Sequence, residues 1–230
     1  MDLNYLVNQI KGDTIAPTLR LRQGKVITVN ADRTMDVQIA GDTNTLPSVR
    51  YLSNYAPKPD DQVWLLNSGA DLLGIGMVAG ATRTLSPKAY RGTAQSITAN
   101  TETLVSFSAV ENDDWNCWDV SPNPTRLTAP VTGRYIAVAM VKWSDSGNDN
   151  DWFSNSILLN GTQEIAYGNT KKLRSHGQHV NVTSPPLTLT KGHYIELRAE
   201  ASVNSSLIVT ADGDSYVGWM PSLSLIYLGS

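Results

Sequence analysis

The chain has 230 residues, with 18 basic and 21 acidic side chains and a formal net charge of −3. This balance lacks the clustered positive surface of nucleic-acid-binding proteins, and the single cysteine, Cys117, excludes an intrachain disulfide. No apolar run approaches the roughly 18 residues that cross a bilayer, and the N-terminus lacks the basic start of a signal peptide. We therefore expect no nucleic-acid partner, no membrane insertion and no export signal.

Residues 2–11 show the apolar spacing of a helix. Four apolar side chains recur at i, i+3, i+4 and i+7 and form one stripe: Leu3, Leu6, Val7 and Ile10. Asp2 is suited to cap the start, and Gly12 to end the helix. Ten residues are too few to be stable alone, so the stripe must dock. Docking on its own domain and a short bundle with sister chains both remain open. We predict an anchoring helix within residues 1–12.

Residues 13–80 change to the alternation of strands. A hairpin is predicted around the turn Ala31-Asp32-Arg33, and three further strands follow at 48–52, 62–67 and 72–79. Five short strands in about 60 residues favour a small barrel of the OB type. Gly74 and Gly76 fall inside a strand with no helix after them. They therefore indicate a strand with a bulge and not a phosphate-binding loop.

Residues 81–90 have no periodicity and contain Pro87, so we predict a linker there and a second all-β domain over 91–230. Its segment 133–143 is apolar at both odd and even positions. A sandwich strand that faces water on one side should alternate. A partner, most simply an identical subunit, is therefore expected to cover one face. We assign to that interface Tyr135, Ala137, Ala139 and Val141, with Tyr227 from the apolar C-terminal strand.

Residues 145–151 are rich in side-chain oxygens, as calcium loops are, but lack the sixth-position glycine and distal glutamate of an EF-hand. A polar hairpin tip is the simpler interpretation. Loops on a rigid sandwich commonly carry recognition. We therefore predict a ligand-contacting loop formed by Asp145, Asn148, Asp149, Asp151 and Trp152.

Catalytic and metal sites find little support in the sequence. No Gly-x-Ser-x-Gly, phosphate-binding loop or His-Glu-x-x-His pattern is present, so we expect neither an enzyme nor a cofactor. His176 and His179 are weak metal candidates whose simpler interpretation is a solvated loop. Four tryptophans could pack in the core or form a sugar-stacking surface, and we favour the core: Trp115, Trp118, Trp143 and Trp219.

The second domain resembles the jelly roll of the complement C1q/TNF-like family. An aromatic residue, Trp118, precedes residues 126–138, which are similar to the family's "fTAPvsGrY" segment and the strand after it. Residues 158–161 and 187–197 are similar to its later "lNG" and "L.kGDyvel" segments. The resemblance covers about 130 residues and implies a jelly-roll sandwich that forms a homotrimer.

The first domain resembles the small OB-type domains of minor virion proteins from tailed phages. The similar stretches are residues 24–30, 34–39, 47–59, 61–66 and 71–79. Together the two resemblances imply a fibre or spike protein of the virion, assembled in the host cytoplasm. Its first domain would anchor it to other virion proteins, and its head would contact a host glycan or receptor. A purely architectural subunit and a secreted lectin or adhesin are the alternatives. If the chain were an enzyme, we would expect a glycan hydrolase.

Overall fold

A computed structural model describes residues 20–67, 71–78, 84–144, 147–172, 178–207 and 220–229 of the chain. Within these residues the secondary structure consists of strands and turns, without a helix. The predicted helix that carries Leu3, Leu6, Val7 and Ile10 lies outside the described residues. Two compact units make up the chain, residues 1–81 and residues 82–230.

The first unit contains five of the described strands: β1 (Arg20–Val29), β2 (Thr34–Ile39), β3 (Thr45–Tyr51), β4 (Gln62–Asn67) and β5 (Leu72–Met77). The second unit contains the other thirteen: β6 (Lys88–Tyr90), β7 (Gln95–Ile97), β8 (Thr103–Leu104), β9 (Ala109–Glu111), β10 (Arg126–Thr128), β11 (Gly133–Lys142), β12 (Trp152–Leu159), β13 (Gln163–Lys171), β14 (His179–Thr183), β15 (Leu187–Leu189), β16 (Tyr194–Ala201), β17 (Ser205–Leu207) and β18 (Ser222–Gly229).

The strands of the first unit close into a barrel in the order β1-β2-β3-β5-β4. Strand β1 pairs antiparallel with both β2 and β4, and the parallel pair β3–β5 completes the ring. Apolar side chains at alternate positions fill the interior with no exposed surface: Val26, Met35, Val37, Val63 and Leu65. The five strands predicted from alternation are confirmed, with bounds that shift by a few residues.

Glycines allow the strands of this barrel to approach closely. Gly24 of β1 lies between Ile39 of β2 and Val63 of β4. A Cβ atom at Gly24 would come within 2.6 Å of Leu65 Cδ1, so a side chain there would displace the core. Gly74 and Gly76 lie in β5, whose register with β4 shifts between Trp64 and Leu65, which confirms the predicted strand with a bulge.

The second unit contains a sandwich of two antiparallel sheets and a separate two-stranded antiparallel sheet, β7–β17. Sheet I has the order β10-β16-β12-β13, with β8 also paired to β16. Sheet II has the order β14-β11-β18-β6-β9, with β15 also paired to β11. This alternation of sequence-distant strands between two sheets is the connectivity of a jelly roll. Trp143 and Phe153 pack between the sheets with ring centroids 5.2 Å apart and no exposed surface.

The predicted linker over residues 81–90 is wrong at its C-terminal end, because residues 88–90 form β6 in sheet II. Leu85, Pro87 and Ala89 alternate with half-exposed neighbours and are all buried. The backbone carbonyls of Leu85 and Pro87 accept hydrogen bonds from the C-terminal strand, an interaction that does not require the missing N–H of a proline. The segment that contains Pro87 therefore continues the pairing with β18, where the sequence predicted a linker.

Residues 103–109 alternate in sequence like a single strand but contribute to two strands in the structure. β8 belongs to sheet I and β9 to sheet II, and residues 105–108 cross between the sheets with Val105 and Phe107 buried. The C-terminal strand β18 lies between β11 and β6, as its apolar character predicts.

Candidate interaction surfaces

The residues predicted to form the subunit interface lie in the interior of the single chain. Tyr135, Ala137, Ala139 and Val141 of β11 are at most 1% exposed and face sheet I. The Tyr135 hydroxyl donates a hydrogen bond of 2.6 Å to the carbonyl of Val131, so its polar end is satisfied inside. The prediction assigned the wrong face of β11, because both faces of this strand are apolar and alternation alone does not distinguish them.

Tyr227 was predicted to join the same interface and lies at its inner edge. Its ring centroid is 5.1 Å from that of Tyr135, and the residue is half-buried. Gly133 makes room for this ring, because a Cβ atom at Gly133 would collide with Tyr227 Cε2. Tyr227 therefore closes one end of the sandwich core.

The outer face of sheet II is apolar along β11, while the neighbouring outward positions of β18 include Ser222 and Ser224. Ile136, Val138 and Met140 of β11 point away from the core and are half-buried in the single chain. Ile226 of β18 lies opposite Ile136, and Tyr90 of β6 pairs with Ser222, which itself pairs with Met140. We call Ile136, Val138, Met140, Ile226 and Tyr90 the outer apolar strip.

Polar residues border the outer apolar strip on the β14 side. His179, Asn181 and Thr183 of β14 are exposed and pair with Lys142, Met140 and Val138. The pKa of His179 lies below its usual range because of partial burial and the nearby positive charge of Lys142. An apolar centre with a polar rim is the arrangement of protein–protein interfaces.

The outer face of sheet I is polar and is held by Arg198 of β16. Its guanidinium forms ion pairs with Glu102 at 2.8 Å and Glu164 at 2.6 Å. Its Nε donates a hydrogen bond of 2.8 Å to Ser156 Oγ. One side chain therefore connects β16 to β12, to β13 and to the segment before β8.

A second polar cluster lies on the same face around Glu196. This carboxylate is buried and accepts hydrogen bonds from Thr125 Oγ1 at 2.6 Å and Arg126 Nε at 3.3 Å. The Arg126 guanidinium carbon lies 4.0 Å above the centre of the Tyr194 ring. The charge of Glu196 is thus compensated within the chain by Arg126.

The predicted ligand-contacting loop is a braced hairpin tip over residues 147–151. Asp151 Oδ2 accepts a hydrogen bond of 2.6 Å from the backbone of Asn148, and Oδ1 accepts one of 3.0 Å from Ser202 Oγ. Lys172 Nζ donates to the carbonyl of Gly147 at 2.8 Å. Asp151 therefore stabilises the turn. Asn148 and Asp149 are exposed, and Asp145 lies outside the described residues.

Trp152, the last residue of the predicted loop, borders a depression on the outer face of sheet I, which we call the sheet I groove. The groove has a volume of about 340 Å³ and is lined by Trp152, Tyr167, Asn169, Thr170, Lys171 and Glu200. Sequence reasoning missed all of these except Trp152. The alternation of Tyr167, Asn169 and Lys171 along β13 was the available signal, since alternate residues share one face of a strand.

The remaining aromatic and thiol predictions fall mostly in the core. Trp115 and Trp143 are buried, which confirms that they fill the core, and Trp118 is half-buried with Nε1 donating to the carbonyl of Pro124 at 3.2 Å. Trp219 lies outside the described residues. Cys117 is buried, and the pKa of its thiol is raised by burial and by the neighbouring carboxylate of Asp113.

Only one of the two metal candidates lies within the described residues. His179 is an exposed residue of β14, and His176 lies outside the described residues. In the described ranges, no group of three or more histidine, cysteine, aspartate or glutamate side chains is arranged to hold a metal ion. Those ranges also contain no helix with the length and apolarity to cross a membrane.

Comparisons with known proteins find similarity among solved structures only. No protein-family model and no curated protein matches the chain. The globular domain of zebrafish complement 1qA is 15% identical, with a TM-score of 0.43 over 63% of this chain and 97% of that one. Eiger TNF from S. frugiperda is 12% identical, with a TM-score of 0.42 over 64% and 93%. Murine APRIL is 11% identical, with a TM-score of 0.42 over 62% and 98%.

Proposed function

We propose that the chain is a structural and binding protein whose sandwich assembles into a homotrimer through the outer apolar strip. The observation that carries the proposal is the two-sided apolar character of β11. Its inner row fills the core, while Ile136, Val138 and Met140 on the other side stay half-exposed in the single chain. A contiguous apolar patch with a polar rim marks a surface that another protein covers.

The energetics favour covering this strip. Fully burying an Ile, Val or Met side chain contributes about 1.5–3 kcal/mol, so covering the smaller part that remains exposed contributes about 0.5–1 kcal/mol for each. In a trimer, three copies of the strip would each contribute this free energy around a shared axis. The strip lies on β11 and β18, which are central strands of sheet II.

A threefold assembly is supported by the resemblance of residues 118–138 and 187–197 to C1q/TNF-like heads, which are trimers. We infer that the sandwich is a head of this type. For the barrel we infer an OB fold, because the order β1-β2-β3-β5-β4 with a parallel β3–β5 pair is a five-stranded barrel of Greek-key type.

We propose that the protein is a virion component of a tailed phage, with the barrel attached to neighbouring virion proteins and the head presented outward. The resemblance of the barrel sequence to minor virion proteins supports this role. Three identical heads held rigidly together would bind a surface by multivalency, since each further contact is made at a high effective concentration. Mass spectrometry of purified virions tests this role, and the absence of the chain from them would refute it.

The trimer is tested by light scattering on the purified chain. One chain has a mass of 25.0 kDa, so three give 3 × 25.0, or about 75 kDa. Val138→Asp places a charge in the outer apolar strip and is expected to give a folded monomer. Val120→Asp is the matched control, because Val120 is an exposed valine outside the strip, and its mass should stay at that of the trimer. A monomeric unmodified chain, or a Val138→Asp variant that remains trimeric, contradicts the proposal.

A further inference from the structure

We propose that the sheet I groove binds a neutral oligosaccharide, with Trp152 and Tyr167 as stacking surfaces. This deepens the proposed function by naming the ligand class of the head. The groove is built within a single chain, so its binding does not depend on the trimer. The inference is carried by the register of three strands, by the exposure of an aromatic side chain and by the balance of charges around it.

The register of β12, β13 and β16 produces the depression. Ser154 of β12 lies between Asn169 of β13 and Glu200 of β16. The side chains of these two neighbours are larger than that of Ser154 and extend beyond it, which leaves a depression. Trp152 lies beside Lys171 at one end, and Tyr167 lies four residues from Lys171 along β13, a span of about 13 Å. The volume of about 340 Å³ falls in the range of small-molecule sites.

The aromatic side chains supply the apolar part of the site. Tyr167 is 54% exposed although it lies in the middle of a strand, and the Trp152 side chain is half-exposed at the start of β12. Such rings present a flat apolar face with a polar end. The apolar C–H faces of a sugar ring match a flat ring face, whereas an apolar peptide side chain would require an enclosed pocket.

The polar side chains supply both donors and acceptors. The Asn169 amide has both, and its nitrogen donates to the Tyr167 hydroxyl at 3.2 Å. Glu200 accepts and Lys171 donates, while the Thr170 hydroxyl already donates to the Lys171 carbonyl at 3.4 Å. Hydroxyl groups of a sugar also donate and accept, so this mixed set is complementary to a polyol. In the described part of the chain, neither the Glu200 carboxylate nor the Lys171 ammonium has an ion-pair partner, so both are available to a ligand.

The charges around the groove do not favour an anionic ligand. Lys171 and Glu200 contribute one charge of each sign, and their sum is zero. Arg198, which lies next to the groove on β16, is paired with both Glu102 and Glu164, so this neighbouring cluster carries one net negative charge. The site therefore lacks the excess positive charge that would select an acidic saccharide or a phosphate.

The test is binding to a printed array of neutral and acidic oligosaccharides, including chains of glucose, galactose, mannose, rhamnose and N-acetylglucosamine. The unmodified protein is expected to bind neutral members. Tyr167→Ala and Trp152→Ala should each weaken binding by about tenfold or more, and Trp152→Phe should retain part of it. Val120→Ala, an exposed apolar residue outside the groove, is the control and should bind normally. Circular dichroism confirms that each variant is folded.

Three results would overturn the assignment: no binding to any neutral oligosaccharide, binding that both alanine variants retain, or binding confined to acidic members. The saccharide-binding result can be distinguished from the result of the trimer test. The monomeric Val138→Asp variant should bind the same saccharides more weakly, through lost multivalency, and should lose binding when Tyr167→Ala is added. A chain that is monomeric but binds neutral saccharides through the groove would refute the trimer alone.

Discussion

The two outer faces of the sandwich differ although both sheets contribute equally apolar inner faces. Central strand β16 of sheet I turns Glu196, Arg198 and Glu200 outward, and the equivalent row of β11 in sheet II is Ile136, Val138 and Met140. Arg198 and Glu200 of the first row are in contact with water, and ion pairs compensate the charges of Arg198 and the buried Glu196. The second row is apolar and gains nothing from water. The same fold thus provides a solvated face suited to a polar ligand and an apolar face suited to assembly.

The largest effect should separate two neighbouring residues of β18. Leu225 faces the core with no exposed surface, and Ile226 faces outward in the strip. In the Val138→Asp background, where assembly does not contribute, Leu225→Ala should lower the free energy of unfolding by about 2–5 kcal/mol. Ile226→Ala should lower it by about 1 kcal/mol, since its cavity is open to water. Urea denaturation measures both, and equal losses would mean that Ile226 is already buried within the single chain.

A smaller effect is expected on the polar face. Arg198→Ala removes two ion pairs with partly exposed glutamates, so the free energy of unfolding should fall by about 1 kcal/mol and the loss should shrink in high salt. The solution mass should not change, because sheet I takes no part in the proposed assembly. A variant that dissociates would place the subunit contact on sheet I and reverse the roles of the two faces.

The smallest effect concerns the polar rim of the strip. Removing the positive charge with Lys142→Gln should raise the pKa of His179 toward its ordinary value, while partial burial still holds it lower. A histidine with a lowered pKa in the folded state stabilises the fold fully above its unfolded pKa of about 6.5 and loses that contribution as the pH falls toward the folded pKa. NMR titration of both proteins measures the shift, and an unchanged pKa would mean that Lys142 does not act on His179.

Alternation in the sequence predicted much of the fold but not the pairing of distant strands. The barrel strands and β18 were predictable from local patterns, because the period-two alternation of a strand is visible in consecutive residues. The two-sided apolar character of β11 indicated an apolar outer face, which the structure shows as Ile136, Val138 and Met140. It did not indicate which of the two apolar rows faces the core, because packing against sheet I decides this. The linker prediction failed at Pro87, where the backbone carbonyl and not the N–H continues the sheet.

The candidate groove was harder to predict than either surface. Trp152 was singled out by its place beside an oxygen-rich loop. Tyr167, Asn169 and Glu200 come from two other strands, and only the register of β12 with β13 and β16 brings them together. A shift of one residue would send each of them to the opposite face, and no local pattern sets that register.

Chemical labelling of the outer apolar strip tests most directly whether a second copy covers it. Met140→Cys places a thiol in the strip, Val120→Cys places one on an exposed loop, and the native Cys117 stays unreactive because it is buried with a raised thiol pKa. At concentrations where the mass is that of a trimer, the Met140→Cys thiol should be protected and the Val120→Cys thiol labelled. Adding Val138→Asp should abolish the protection. Equal labelling rates for the two thiols in the trimer would show that the copies meet elsewhere.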